Sequence, residues 1–136
     1  MLLSRRSVLA SAAAMVATPS FAASKINVVA STGMIADLVR AIGGTGVEVQ
    51  ALMGPGVDPH AYRQTRSDIV DMTRADAVFW HGLYLEAQME EFLLDLGRKR
   101  PVYAVAETVD TDLLIGSEDY EGRYDPHIWM DPDLWV

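Results

Sequence analysis

The stretch "INVVASTGMIADLVRAIGGTGVEVQAL", Ile26 to Leu52, decides the fold class. It opens with "INVVA", rich in β-branched residues and too short for a helix, which predicts a buried strand over Ile26–Ala30. In "STGMIADLVRAIGG" the apolar residues Met34, Ile35, Leu38, Val39 and Ile42 fall on one helical face, and Gly43 and Gly44 end that helix. "VEVQAL" then alternates, turning Val47, Val49 and Ala51 inward as a second strand. Strand, helix and strand in this order make a βαβ unit.

The same alternation continues downstream. Thr65 and Asp68 have the spacing of a helix N-cap and its N3 acid, predicting a helix from about Arg66 to Ala75. "AVFW", Ala77 to Trp80, is the third strand. Leu85, Met89, Phe92, Leu93 and Leu96 repeat at helical spacing, and Gly97 and Pro101 punctuate the end. Glu86, Glu90 and Glu91 lie early in that helix and Arg98, Lys99 and Arg100 late, which complements its dipole. "VYAVA", Val102 to Ala106, is a fourth strand, and a long acidic connection then runs to Tyr124. The pattern predicts an α/β protein: a parallel sheet with flanking helices. Ligands of such sheets collect outside the carboxyl ends of the strands.

Two loops reach that edge carrying one triplet. "MGPGVDPHAY" (Met53 to Tyr62) follows the second strand and holds Asp58, Pro59 and His60. "YDPHIWMDP" (Tyr124 to Pro132) follows the fourth and holds Asp125, Pro126 and His127. The chain has three histidines, so two of them share this setting. Each proline fixes its own φ and pushes the preceding aspartate toward extended geometry. An imidazole held this way loses little freedom on binding, and neutral imidazole suits zinc, iron, manganese and nickel.

One triplet alone reads as a turn with an exposed histidine. Two of them, at corresponding strand ends, point to His60 and His127 as metal ligands. Asp58 and Asp125 either orient the rings or bond their own backbone as turn acids. His81, in "FWHGLYLE", lacks the proline setting and reads as a surface or supporting histidine. Asp131 and Pro132 read as the N-cap and first position of a helix "DPDLWV", and Trp129 and Trp135 as core or interface residues. Two imidazoles are half a zinc shell, which takes four protein ligands, or three and a water.

Composition narrows the function classes. The length suits at most one domain, and half the residues are apolar, so a packed core is expected. A formal charge of -8 argues against a nucleic-acid binder and suits a protein that attracts cations. The opening "MLLSRRSVLASAAAMVATPSFAAS" has a charged n-region at Arg5 and Arg6, an Ala-rich apolar run from Val8 to Val16, and a small-residue cleavage signal "SFA", Ser20 to Ala22, with small residues at 20 and 22. That predicts a signal peptide over residues 1–22 and a mature chain over 23–136. "SRRSVLA" resembles a twin-arginine signal, and an ordinary secretory signal stays open. Cleavage removes Arg5 and Arg6, leaving nine basic against nineteen acidic residues, a net of -10. With no cysteine there is no disulfide, no thiolate zinc site and no lipid-modified N-terminal cysteine. A periplasmic, soluble protein is expected.

The rival classes have weaker signals. A zinc-dependent hydrolase needs an open metal position and a general base, but no His-Glu-x-x-His and no nucleophile setting occurs. "AIGGTGVEV" follows a helix and stops it, so it is no phosphate cradle. "VVASTGMIADLV" joins strand to helix with a single glycine, too weak a nucleotide signal. The helix opening at Asp131 stops within a few residues, so the chain is expected to be the first half of something larger. The alternative on that expectation is a fragment without function.

Taken together, "ALMGPGVDPHAY", "ADAVFWHGLYLEAQME" and "YDPHIWMDPDLWV" resemble the TroA-like solute-binding proteins of ABC importers for zinc and manganese. The resemblance covers about Lys25 to Val136. It implies one lobe of a two-lobed α/β protein, a metal between the lobes, and a long interlobe helix beginning near Asp131. It implies no enzyme activity: such a protein, a monomer, captures Zn2+ or Mn2+ and passes it to an ABC permease in the inner membrane. His60 and His127 match the family's two ligands from this lobe. The other two, a histidine or glutamate and an acidic residue, come from the second lobe. The match is incomplete at two places: this chain has "DPHAYRQTRSD" where many relatives add a glutamate and prolines, and "HGLYLE" where one branch has Asn-Gly-Leu-His-Leu-Glu. Capture by neutral imidazoles is expected to weaken as pH falls through about 7 to 6.

Overall fold

The computed structural model describes residues 24–135, so the expected signal peptide, 1–22, lies outside the described residues. Four strands form one parallel sheet: β1 (Ile26–Ala30), β2 (Val47–Ala51), β3 (Ala77–Trp80) and β4 (Val102–Ala104), in the order β2-β1-β3-β4. Val28 of β1 lies beside Val49 on one side and Ala77 on the other, and Val78 lies beside Val102. Helices α1 (Gly33–Gly43), α2 (Arg66–Arg74) and α3 (Glu90–Gly97) make the connections. The α/β reading holds. The chain leaves β1 for β2 on one side and crosses back for β3 on the other, so the connections after β1 and β3 part company. That divergence opens a crevice at the carboxyl edge.

The pleat divides the core in two. Val29, Val78 and Trp80 turn to one face, where Met72 of α2 and Met89, Leu93 and Leu96 of the third connection cover them. Ala30 turns to the other face and meets Ile35 and Ala36 of α1, with Phe79 and Trp135 beside them. Met72, Met89 and Leu93 are fully buried, each contributing about 1.5–3 kcal/mol of apolar transfer. Thr32 caps α1 by accepting the Ile35 N–H at 3.4 Å. Thr65 and Asp68 cap α2 reciprocally, at 3.2 and 2.6 Å, as their spacing predicts.

Three elements differ from expectation. Ile42, placed by periodicity on the apolar face, is 86% exposed, in the last turn before Gly44 redirects the chain at φ 53°. β4 stops at Ala104, although Val105 and Ala106 still donate to the carbonyls of Trp80 and His81 before a 3-10 turn over Ala106–Thr108. The helix expected around Leu85 begins only at Glu90. Gly82, Leu83 and Tyr84 all take positive φ (85°, 50° and 69°), which a right-handed helix cannot include. Beyond β4, the acidic connection forms a second 3-10 turn over Thr111–Leu113 and a narrow loop closed by the Gly116–Tyr124 bridge.

Candidate metal centre

His60 and His127 come from connections after β2 and β4, the outer strands on opposite sides of β1 and β3. Their loops bend inward over the carboxyl edge, and the two rings stand 5.5 Å apart between centroids, tilted by 52°. They line a cavity of about 280 Å3 together with Tyr84, Tyr120, Tyr124 and Asp125. Among the described residues no group of three or more His, Cys, Asp or Glu side chains is placed to hold a metal ion.

Each triplet folds as a turn closed by its own aspartate. Asp58 Oδ1 accepts the His60 N–H at 2.9 Å, and Asp125 Oδ1 accepts the His127 N–H at 2.9 Å. Of the two roles left open for these acids, Asp58 fills the turn role. Asp125 fills both, because its Oδ1 also lies 2.5 Å from His127 Nδ1. The backbone N–H of His127, with its ring in a lesser part, holds the Asp125 carboxyl below its ordinary value. A carboxylate there accepts a hydrogen bond from Nδ1–H and leaves the Nε2 lone pair free.

Different elements steady the two loops. Past His60, the Tyr62 hydroxyl donates to Asp68 Oδ2 at 2.7 Å, tying the first loop to the α2 cap. Burial first, then Asp68, pushes the Tyr62 phenol up to about 12. The second loop is gripped from below by His81. This histidine is fully buried, which corrects the surface alternative, and its Nε2 lies 2.5 Å from the Pro126 carbonyl oxygen. A carbonyl only accepts, so Nε2 carries the proton. Burial is the main reason its pKa drops to about 4, so the ring is neutral across the physiological range. Trp129 stands edge-on to both His81 and His127, at 5.2 and 5.1 Å between centroids.

Glu86 holds His81 in turn. Its carboxylate is fully buried and accepts from Ser31 Oγ at 2.5 Å, the His81 N–H at 2.9 Å and the Gly82 N–H at 3.3 Å. Desolvation pushes its pKa up against the pull of those donors. Glu86, expected early in the helix with Glu90 and Glu91, instead lies before that helix, which begins at Glu90, and is buried. Nothing in the periodicity separates it from Glu90; the glycine just after β3 was the available hint. A Cβ on Gly82 would meet Ala104 Cβ and Glu107 Cγ at 3.0 Å, so this turn packs tightly against the end of β4.

A family profile described as "ZnuA: Zinc-uptake complex component A periplasmic" matches residues 28–136. The chain belongs to the ZnuA family. This ZnuA-family chain is 42% identical over 113 residues to the manganese-binding lipoprotein MntA of Bacillus subtilis, covering 82% of itself and 36% of that protein. It is 43% identical over 108 residues to the zinc-binding protein TroA of Treponema pallidum, covering 79% of itself and 34% of TroA. The chain therefore spans about a third of the length of these curated relatives. The solved structure of the Treponema pallidum periplasmic zinc binding protein TroA superposes with a TM-score of 0.77 at 41% identity, over 82% of this chain and 40% of that one. Fe(III)-bound YtgA of Chlamydia trachomatis superposes with a TM-score of 0.66 at 32% identity, over 82% and 39%.

Proposed function

We propose that this ZnuA-family chain supplies the first half of the metal site of a periplasmic receptor that captures Zn2+ or Mn2+ for an ABC permease. His60 and His127 are the ligands it contributes, and the remaining donors come from a second lobe outside residues 23–136. The receptor works as a monomer and binds without catalysing a reaction; a cleaved signal peptide, residues 1–22, exports it.

The observation that carries this reading is the 5.5 Å separation of two rings brought from opposite outer strands. An imidazole bound through one nitrogen sets its centroid about 3.2 Å from a zinc ion, so two at the tetrahedral angle stand about 5 Å apart. The Asp125 contact to Nδ1 supports it further, since ligating histidines commonly give their other N–H to a carboxylate. Relatives named for zinc and for manganese, and an Fe(III)-bound structure, support a divalent or trivalent cargo of this kind. The net charge of -8 favours approach of a cation.

The test is calorimetric titration of Zn2+ and Mn2+ into the complete two-lobed protein and into its His60→Ala and His127→Ala variants. Each substitution should lower affinity by about 100-fold or abolish measurable binding. Unchanged isotherms in both variants would remove the pair as ligands.

A further inference from the structure

The pair of imidazoles does not account for His81. It is one of three histidines, it is wholly buried, and its ring lies behind the site, not in the cavity beside the other two. Burying a polar ring costs stability unless its atoms are satisfied, and among the described residues its Nδ1 finds no hydrogen-bond partner. A leucine would fill such a space without that penalty. What the imidazole provides instead is a single directed bond, Nε2–H to the Pro126 carbonyl, one residue before His127.

The surroundings are built to aim that bond. Glu86 takes the backbone N–H groups of His81 and Gly82, and Ser31 from the end of β1 holds Glu86. The positive φ values at 82 to 84 turn the chain so that Glu86 can reach back under its own loop. Trp129 stands edge-on to both the His81 and the His127 ring. The connection therefore runs from β1 through Ser31, Glu86 and His81 to the carbonyl that precedes His127. Pro126 is itself buried, and its carbonyl accepts two donors, the Ile128 N–H at 2.8 Å from its own turn and His81 Nε2–H from beneath.

We propose that His81 is a positioning residue that sets the orientation of the His127 imidazole through the Pro126 carbonyl, with Glu86 fixing His81. The inference rests on the reading of His127 as a metal ligand for its consequence in affinity, but the bond itself can be tested without metal. His81→Phe keeps an aromatic ring and removes the donor. His81→Gln keeps an N–H at the reach of Nε2.

In the full chain, Zn2+ titration should show His81→Phe weakened by about 10-fold or more, with His81→Gln near the wild type. Imidazole nitrogen NMR of the metal-free proteins should show the His127 ring signals moved in His81→Phe and restored in His81→Gln, while those of His60 stay in place. A general loss of structure would move both rings alike. If His81→Phe does not fold, the wild-type spectrum and His81→Gln still decide: His81 must be protonated at Nε2 and bare at Nδ1, and the glutamine variant must keep its zinc affinity. An Nδ1-protonated His81, or a His81→Phe protein with unmoved His127 signals and wild-type affinity, would overturn the proposal. If His60→Ala and His127→Ala also bind as the wild type does, the ligand reading has failed, and the His127 signals alone judge the positioning role.

Discussion

Asp58-Pro59-His60 and Asp125-Pro126-His127 have the same three residues, and each aspartate accepts its histidine's N–H at 2.9 Å. Beyond that turn they part. In the second triplet the aspartate also takes the ring nitrogen, and a buried histidine pins the proline carbonyl. In the first, the anchor is Tyr62, two residues downstream, bonded to Asp68, and the His60 ring makes no hydrogen bond to its aspartate. Turn chemistry is local and repeats with the residues. The support beneath each loop is tertiary and does not repeat.

That contrast can be broken at several points. The largest effect is expected at Glu86. Glu86→Leu leaves the Ser31 hydroxyl and the N–H groups of His81 and Gly82 unpartnered, and should cost about 3 kcal/mol in urea denaturation. A loss confined to a few tenths would mean that the second loop does not depend on this carboxylate.

His81 should register in the pH dependence of stability. Its folded pKa, about 4, lies below its ordinary 6.5, so the unfolded chain binds the extra proton first as pH falls. Stability from this group is present above pH 6.5 and is lost on going down towards 4, by about 2–3 kcal/mol. Glu86 has the opposite sign: its raised pKa adds stability at low pH that is lost as pH rises through the folded value. The difference between wild type and His81→Gln across pH 4 to 6.5 isolates the histidine part. Parallel denaturation curves for the two proteins would contradict it.

The two aspartates sharpen the comparison directly. Asp125→Asn should weaken Zn2+ binding by about 10-fold, because the His127 ring loses the carboxylate that directs its proton. Asp58→Asn keeps a turn acceptor and should change affinity by less than about 3-fold. Equal losses would show that both act through the turn alone. The smallest effect is expected at Tyr62→Phe, which removes one bond to Asp68 and should cost about 1 kcal/mol of stability.

Much of this was legible in the residues. The strand-helix alternation from Ile26 onward predicted the parallel sheet, and Thr65 with Asp68 predicted the α2 cap, because both patterns depend on neighbours within a few positions. The expected core or interface role of Trp135 agrees with its packing on the α1 face. Glu86 was misread for a physical reason. Its place after Leu85 fits a helix start, and only the left-handed run at 82 to 84 turns it inward. His81 was underspecified in the same way, since its partner lies 45 residues away.

By itself the sequence determined the period of the elements, the two proline-stiffened turns and the acids that close them, all interactions within reach of a few bonds. Only the tertiary structure decided that two turns from outer strands meet at 5.5 Å, and that one of them rests on a buried histidine. The reason is the order of the strands: crossing from β2 over β1 to β3 and β4 brings together residues that no local pattern relates.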